Sequence, residues 1–260
     1  MSELVHYELT GGVGRITLDS PPNRNALSRQ LTAELAAHMD AAVSDPAARI
    51  ILLTGTGGVF CSGADLKEQR DANQSGGNTG PTALAPILEA MWNAPKPVVG
   101  RINGAARAGG MGLVAACDIA IGVESATFAV NEVRIGVIPA IISVVLLRKL
   151  SVTHAMEIFL TGEPFMGSRA VEIGLLNSAV HSDDLDKETD RYLAMLKQGA
   201  PGALGGAKRL VREVAAMEMH AGFEAMAELS AKYFASPEAL EGMTAFAERR
   251  PPAWAPTPAE

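Results

Sequence analysis

The stretch ARAGGMGLVAACD, residues 106–118, opens with a glycine pair, runs on through apolar residues and carries no carboxylate before Asp118. A strand is predicted before it, over 96–102, and an apolar helix within it, over about 110–116. Gly109-Gly110 therefore sits at a strand-to-helix junction. The first turn of a helix has unpaired N–H groups and the positive end of the helix dipole. Glycine lets a substrate oxygen approach that backbone closely, which suits an oxyanion. From this stretch alone, a tight connection in which glycine merely avoids a clash is the favoured reading.

A second junction of the same kind follows. VFCSGADLKE (59–68) passes from an extended piece into a helix start, and Gly63-Ala64-Asp65 offers another free N–H at Ala64. An oxyanion site usually needs two donors, and two such junctions supply them if they converge. Asp65 reads as a helix-start acid that favours the dipole. In FAVNEVRIGVIP (128–139), Glu132 lies between a strand end and an apolar run. There it is a candidate general acid/base or, alternatively, an N-terminal helix carboxylate.

Outward from these stretches the pattern is α/β. HYELTGGVGRITLDS (6–20) alternates apolar and polar residues about a Gly11-Gly12 turn and predicts a β-hairpin. Ser28 is a plausible N-cap for a helix carrying Leu31, Leu35 and Met39, ending near Asp45-Pro46. ARIILLTG (48–55), CDIAIGV (117–123), ATFAV (126–130) and LLNSAV (175–180) read as strands. QRDANQSGGNTGPT (69–82) reads as a mobile polar loop, and a helix after it ends near Asn93-Ala94-Pro95. Alternating strands and helices predict an α/β layout. Residues 1–195 form the expected core, and 196–260 a helical region whose Met and Ala content indicates packing.

Composition narrows the function classes. A formal net charge of −7 argues against a general nucleic-acid binder, although local Arg or Lys still permits an anionic small molecule. Cys61 and Cys117 follow no metal-ligand spacing and no disulfide framework, so no metal and a reducing, cytoplasmic setting are expected. The N-terminus has no cationic start followed by an apolar run, and the run 135–147 is too short to span a bilayer. No phosphate-loop or dinucleotide fingerprint supports ATP or NAD.

FCSGADLKE (60–68), NGAARAGGMGLVAACDIAI (103–121) and FAVNEVRIGVIP (128–139) together resemble the crotonase, or enoyl-CoA hydratase/isomerase, superfamily. GRITLDSPPNRNAL (14–27), LTGEPFMGSRAVEIGLLNSAV (160–180) and EGMTAFAERRPPAW (241–254) extend the likeness over nearly the whole chain. The resemblance implies a spiral of ββα turns, with a helical C-terminal region that builds homotrimers or homohexamers. It implies an acyl-CoA thioester substrate, with coenzyme A as part of the substrate and no prosthetic group. Ala64 and Gly109 match the two amides that hold the thioester oxygen. Arg24, Asn25 and Ala26, the turn Gly63, Asp65 and Leu66, and Phe246 and Arg249 match positions near bound CoA. Arg24 is otherwise a solvated loop arginine, Phe246 a packing residue and Arg249 a surface charge.

The resemblance also exposes a departure. Typical hydratases of the superfamily use two glutamates. Glu132 matches one, and the other position is Gly112. The phrases GMGLVAACDIAI and NEVRIGVIPAIIS are similar to a bacterial subset of branched-chain enoyl-CoA or methylglutaconyl-CoA hydratases. The first reading is hydration of a 2-enoyl-CoA with Glu132 as the one acid/base. The second is a double-bond shift by Glu132 as single proton shuttle. A thioester hydrolase or decarboxylase, and a CoA-binding subunit without catalysis, complete the alternatives. Ile141 and Ile142 stand where many hydratases carry a glycine-rich loop, and predict a reshaped acyl pocket. Arg107 is a candidate partner for an acyl carboxylate or a surface arginine, and loop 69–82 a candidate cover for the acyl chain.

Overall fold

Strands β1 (Val5–Thr10) and β2 (Val13–Leu18) pair antiparallel across Gly11 and Gly12, both with positive φ (+55° and +79°). Only glycine adopts such angles without strain, so the pair fixes the turn. The computed structural model describes residues 2–75 and 82–256. After the hairpin, the Ser28 hydroxyl accepts from the Leu31 N–H at 3.2 Å and starts α1 (Arg29–Ser44). Leu31, Leu35 and Met39, one helical turn apart, are fully buried.

β3 (Ile50–Gly55) is buried along its whole length, as expected of a strand covered on both faces. β4 (Val59–Cys61) then leads to α2 (Leu66–Gln74). The expected loop 69–82 is therefore helical through Gln74. Asp65 drives this: its carboxylate accepts from the N–H groups of Lys67 and Glu68 at 3.0 and 3.1 Å. Residues 76–81 of that expected loop lie outside the described residues.

α3 (Leu84–Asn93) precedes β5 (Val98–Ile102), β6 (Ala105–Arg107) and α4 (Gly109–Ala116). The sequence reading missed β6. The chain breaks at Asn103-Gly104 because a Cβ on Gly104 would stand 2.2 Å from the Gly58 carbonyl oxygen. β7 (Ile119–Val123), β8 (Thr127–Ala129), α5 (Ala140–Leu146), α6 (Val152–Thr161), β9 (Phe165–Met166), α7 (Gly167–Glu172) and β10 (Ser178–Val180) follow. The large sheet has the order β1-β2-β3-β5-β7-β10, parallel beyond the hairpin. The small sheet has the order β4-β6-β8-β9.

The chain ends in α8 (Leu185–Lys197), α9 (Pro201–Glu213), α10 (Met219–Phe234) and α11 (Pro237–Glu248). The expected division after residue 195 thus falls in the last turn of α8. Arg49 ties both sides together, donating to the carbonyls of Lys197, Gly199 and Trp254. Asp118 binds Lys208 and Arg212 of α9. The Met-rich segment departs from the packing expectation. Met219, Phe223, Phe234 and Phe246 are mainly exposed, because the outer faces of α10 and α11 carry apolar side chains that this chain alone does not cover.

Candidate functional site

The two glycine junctions meet. β4 and β6 run parallel, with Cys61 beside Ala106, so the turns that follow them lie side by side. A Cβ added to Gly63 would stand 3.3 Å from the Gly109 nitrogen and 2.9 Å from the Arg107 carbonyl oxygen. One added to Gly109 would stand 3.7 Å from the Gly63 Cα. Gly63 also has φ +87°, so a side chain there is excluded by backbone and by space.

The two helix starts differ in how their N–H groups are used. Asp65 occupies those of α2 with its own carboxylate, and accepts in addition from Asn23 Nδ2 at 2.8 Å. Ala64 lies outside α2, two residues before its first turn, and bridges to Leu27. The sequence expectation that Ala64 opens the helix is corrected accordingly. At α4 the cap residue is Ala108, which offers no side-chain acceptor, so the Gly109 N–H, first in the helix, has no partner within it. The glycine pair divides its work: Gly109 belongs to this open turn, whereas Gly110 lets α4 press onto β4. A Cβ on Gly110 would be 2.4 Å from the Cys61 carbonyl oxygen.

Ala108 carries the strain of the turn, with φ +45° and ψ −117°. A non-glycine residue there costs on the order of 1–3 kcal/mol. Its N–H donates to the Ala129 carbonyl at 3.1 Å and its carbonyl accepts from Met111 at 2.8 Å, which holds the geometry. Nothing in the letters ARAGG marks the alanine for this conformation, and the sequence reading missed it.

The same hydrogen bond ties this turn to the segment that carries Glu132. Ala129 ends β8, and Glu132 begins a short 3-10 turn three residues later. Its Oε2 is buried and unpartnered. Burial pushes the carboxyl above its ordinary value, partly offset by the hydrogen bond from its own N–H. Glu132 is thus an N-terminal carboxylate of its short turn, as the alternative reading had it, but its Oε2 accepts from no N–H. A carboxyl with one unpartnered oxygen and a raised pKa can hold or release a proton nearer neutrality, as a general acid/base requires.

No carboxylate faces it from position 112. Gly112 is buried, and a Cβ there would be 2.6 Å from Ile142 Cγ2 and 3.2 Å from Leu88 Cδ1. Ile142, expected on the acyl pocket, packs over Gly112. Ile141 does line a cavity, between α3 and α5. Arg107 is half-buried rather than a free surface arginine. It donates to Thr127 Oγ1 at 2.6 Å and to the carbonyls of Thr127 and Ala106.

The residues expected near CoA fall into two groups. Arg24 accepts at its carbonyl from Ser62, and Leu27 donates to the Gly63 carbonyl at 2.8 Å, so Arg24–Ala26 and Gly63–Leu66 form one patch. The Asn25 side chain is spent inside, on Ser20, Thr56 and Val59, so only its backbone faces outward chemistry. Leu66 is exposed. Phe246, 86% exposed, and Arg249, the left-handed C-cap of α11, stand apart: no hydrogen bond or ion pair joins them to that patch among the described residues. Among the described residues, no group of three or more His, Cys, Asp or Glu is placed to hold a metal ion.

Two outcomes follow from this geometry. Gly112→Glu overpacks against Ile142 and lowers unfolding free energy by about 1–3 kcal/mol in urea titrations, and adding Ile142→Ala recovers most of the loss. An unchanged midpoint for the single variant would show that the space is not filled. The folded chain also holds the Glu132 proton more tightly than the unfolded chain. Stability is therefore lost as pH rises from the ordinary value of 4.5 through the raised folded value. Glu132→Gln, always neutral, raises Tm relative to the parent at pH about 8 and not at pH about 4. Equal differences at both pH values would contradict the raised pKa.

A family model described as enoyl-CoA hydratase/isomerase matches residues 8–257. A putative enoyl-CoA hydratase of Thermus thermophilus is 31% identical over 245 residues, covering 93% of this chain and 97% of that protein. A carnitinyl-CoA dehydratase of Proteus mirabilis is 30% identical over 260 residues, covering 98% and 99%. The solved structure of Pseudomonas aeruginosa AtuE superposes with a TM-score of 0.92 at 32% identity, covering 98% of this chain and 100% of that one. The coverage leaves no large part of the chain outside the match, and the two-sheet core with its helical end is the fold of these neighbours: the chain belongs to the enoyl-CoA hydratase/isomerase family, with the crotonase fold.

Proposed function

We propose that the protein transforms enoyl thioesters of coenzyme A with Glu132 as its single proton carrier. The observation that carries this is the buried, unpartnered Oε2 of Glu132, on the segment hydrogen-bonded to the turn that presents Gly109. The N–H groups of Ala64 and Gly109 hold the thioester oxygen, where negative charge grows as an enolate forms. Arg24, the backbone of Asn25 and Ala26, and the Gly63–Leu66 turn hold the CoA part, with Arg24 toward its phosphates. Phe246 and Arg249 stand apart from that patch within this chain, so they reach CoA only from α11 of a neighbouring copy in an oligomer. The family's chemistry runs on the thioester without a prosthetic group.

The first reading is reversible hydration. Water oxygen adds to C3 of a 2-enoyl-CoA, and its proton passes through Glu132 to C2. The names of the Thermus and Proteus relatives, a hydratase and a dehydratase, support it. The second reading, a double-bond shift, is favoured by Ile142 and Leu88 filling the space beside Gly112. One carboxylate then removes a proton from C2 of a 3-enoyl-CoA and returns it at C4 of the dienolate. The exposed apolar side chains Val152, Met156 and Leu160 support assembly into a homotrimer or homohexamer. Both cysteines are buried and unbridged, in keeping with the cytoplasmic expectation.

The test is turnover of 2-enoyl- and 3-enoyl-CoA in deuterated water, read by mass spectrometry and NMR. Hydration gives a product heavier by one water. The double-bond shift gives an isomer with deuterium at C2 or C4. Glu132→Gln lowers either rate by about 10²–10⁴-fold. Unchanged turnover in that variant would overturn the role of Glu132, and no turnover of either substrate by the parent would leave a CoA-binding subunit as the reading.

A further inference from the structure

The cavity between α3 and α5 measures about 600 Å³ and is walled by Ala85, Leu88, Trp92, Ile141, Val144 and Val145. It lies along one face of α3. Leu84 Cδ2 is 3.1 Å from a Cβ placed on Gly109, and Leu88 Cδ1 is 3.2 Å from one on Gly112. Trp92 is the next residue at that four-residue spacing. Eight residues of helix rise by about 12 Å, so this face leads from the Gly109 turn to the indole.

Trp92 is braced by two guanidinium groups. The Arg212 guanidinium lies 3.9 Å from the ring centroid and that of Arg148 lies 6.0 Å away. Arg212 is itself fixed by Asp118, which also binds Lys208 Nζ at 2.8 Å and accepts from the Val98 N–H at 2.7 Å. Strand β5 and helix α9 thus converge on Asp118, two residues past α4, and through Arg212 on the indole. Glu89, Asn93 and Arg148 line the same cavity beside Trp92 and are exposed, so its apolar part ends in a polar rim.

We propose that this cavity takes the distal part of a medium-chain, apolar acyl group, with Trp92 as the end wall that sets its length and Arg212 as the residue that positions the wall. The proposal rests on the acyl-CoA reading above. A short acyl group leaves the walls unfilled. Each methylene that reaches them adds apolar burial, up to the indole. A longer chain must displace the indole or bend into the charged rim, and both are costly.

The experiment measures kcat/KM across 2-enoyl-CoA thioesters of four to sixteen carbons. The parent rises to an intermediate length and then falls. Trp92→Ala moves the optimum to longer chains and changes the long-to-medium ratio by about tenfold, the worth of roughly two methylenes. Val144→Phe, at a mainly exposed wall position, moves it to shorter chains and does not depend on the core tolerating a lost tryptophan. Arg212→Gln blunts the cutoff through KM with kcat retained for medium chains, and Arg212→Lys, which keeps a cation over the ring, restores it.

A second readout needs no turnover. In a Trp254→Phe background Trp92 is the only tryptophan, and saturated acyl-CoA thioesters shift its emission progressively with chain length. Such a shift without turnover of any enoyl-CoA would uphold the pocket and overturn the reaction. Length profiles unchanged in all variants, or emission indifferent to chain length, would overturn the pocket.

Discussion

Gly63 lies against Ala108 and Gly109 so closely that a methyl group on Gly63 would collide with the Arg107 carbonyl oxygen and the Ala108 Cβ. This contact between two backbone turns is where the rest of the structure is anchored. It exists because β4 and β6 pair in parallel and end together. It places the start of α4 beside Gly63, three residues before α2. It also explains the unequal treatment of those helix starts: α2 is closed by Asp65, whereas α4 is left open behind a strained alanine. Strain of that size persists only where surrounding bonds over-determine it, and those to Ala129 and Met111 do so.

The small sheet carries this arrangement on to the carboxylate. β8 joins β6 through Ala129, and the chain then turns at Glu132. The backbone hydrogen bond from Ala108 to Ala129, and the three residues of chain that follow, therefore link the open helix start to the one buried, unpartnered carboxyl oxygen found among the described residues. The large sheet acts as the platform. Its buried strand β3 carries no site residue, yet it neighbours β5, whose sheet change at Gly104 delivers β6.

Much of this was legible in the letters. The Gly11-Gly12 hairpin, the Ser28 cap and the Leu31, Leu35 and Met39 face all depend on local chemistry, and all stand in the structure. Asp65 as a helix-start acid is of the same kind. What was not legible depends on contacts between distant segments. β6 is three residues long and owes its existence to neighbours. Ala108 adopts a glycine-like angle that its own side chain disfavours. Gly112 reads as a missing carboxylate, and only the position of Ile142, thirty residues on, shows that apolar side chains fill the place. Phe246 and Arg249 match CoA positions in sequence order and yet stand apart from Arg24 and Asp65 within this chain.

The central claim is that the Ala64 and Gly109 amides polarise a thioester carbonyl. Infrared difference spectroscopy of a bound acyl-CoA, carrying carbon-13 at that carbonyl, tests it directly. Two converging donors withdraw electron density from the C=O bond and weaken it. The account predicts that the labelled stretch moves to clearly lower frequency on binding than in free aqueous thioester. A labelled band that stays at its aqueous position while the ligand is demonstrably bound would contradict it.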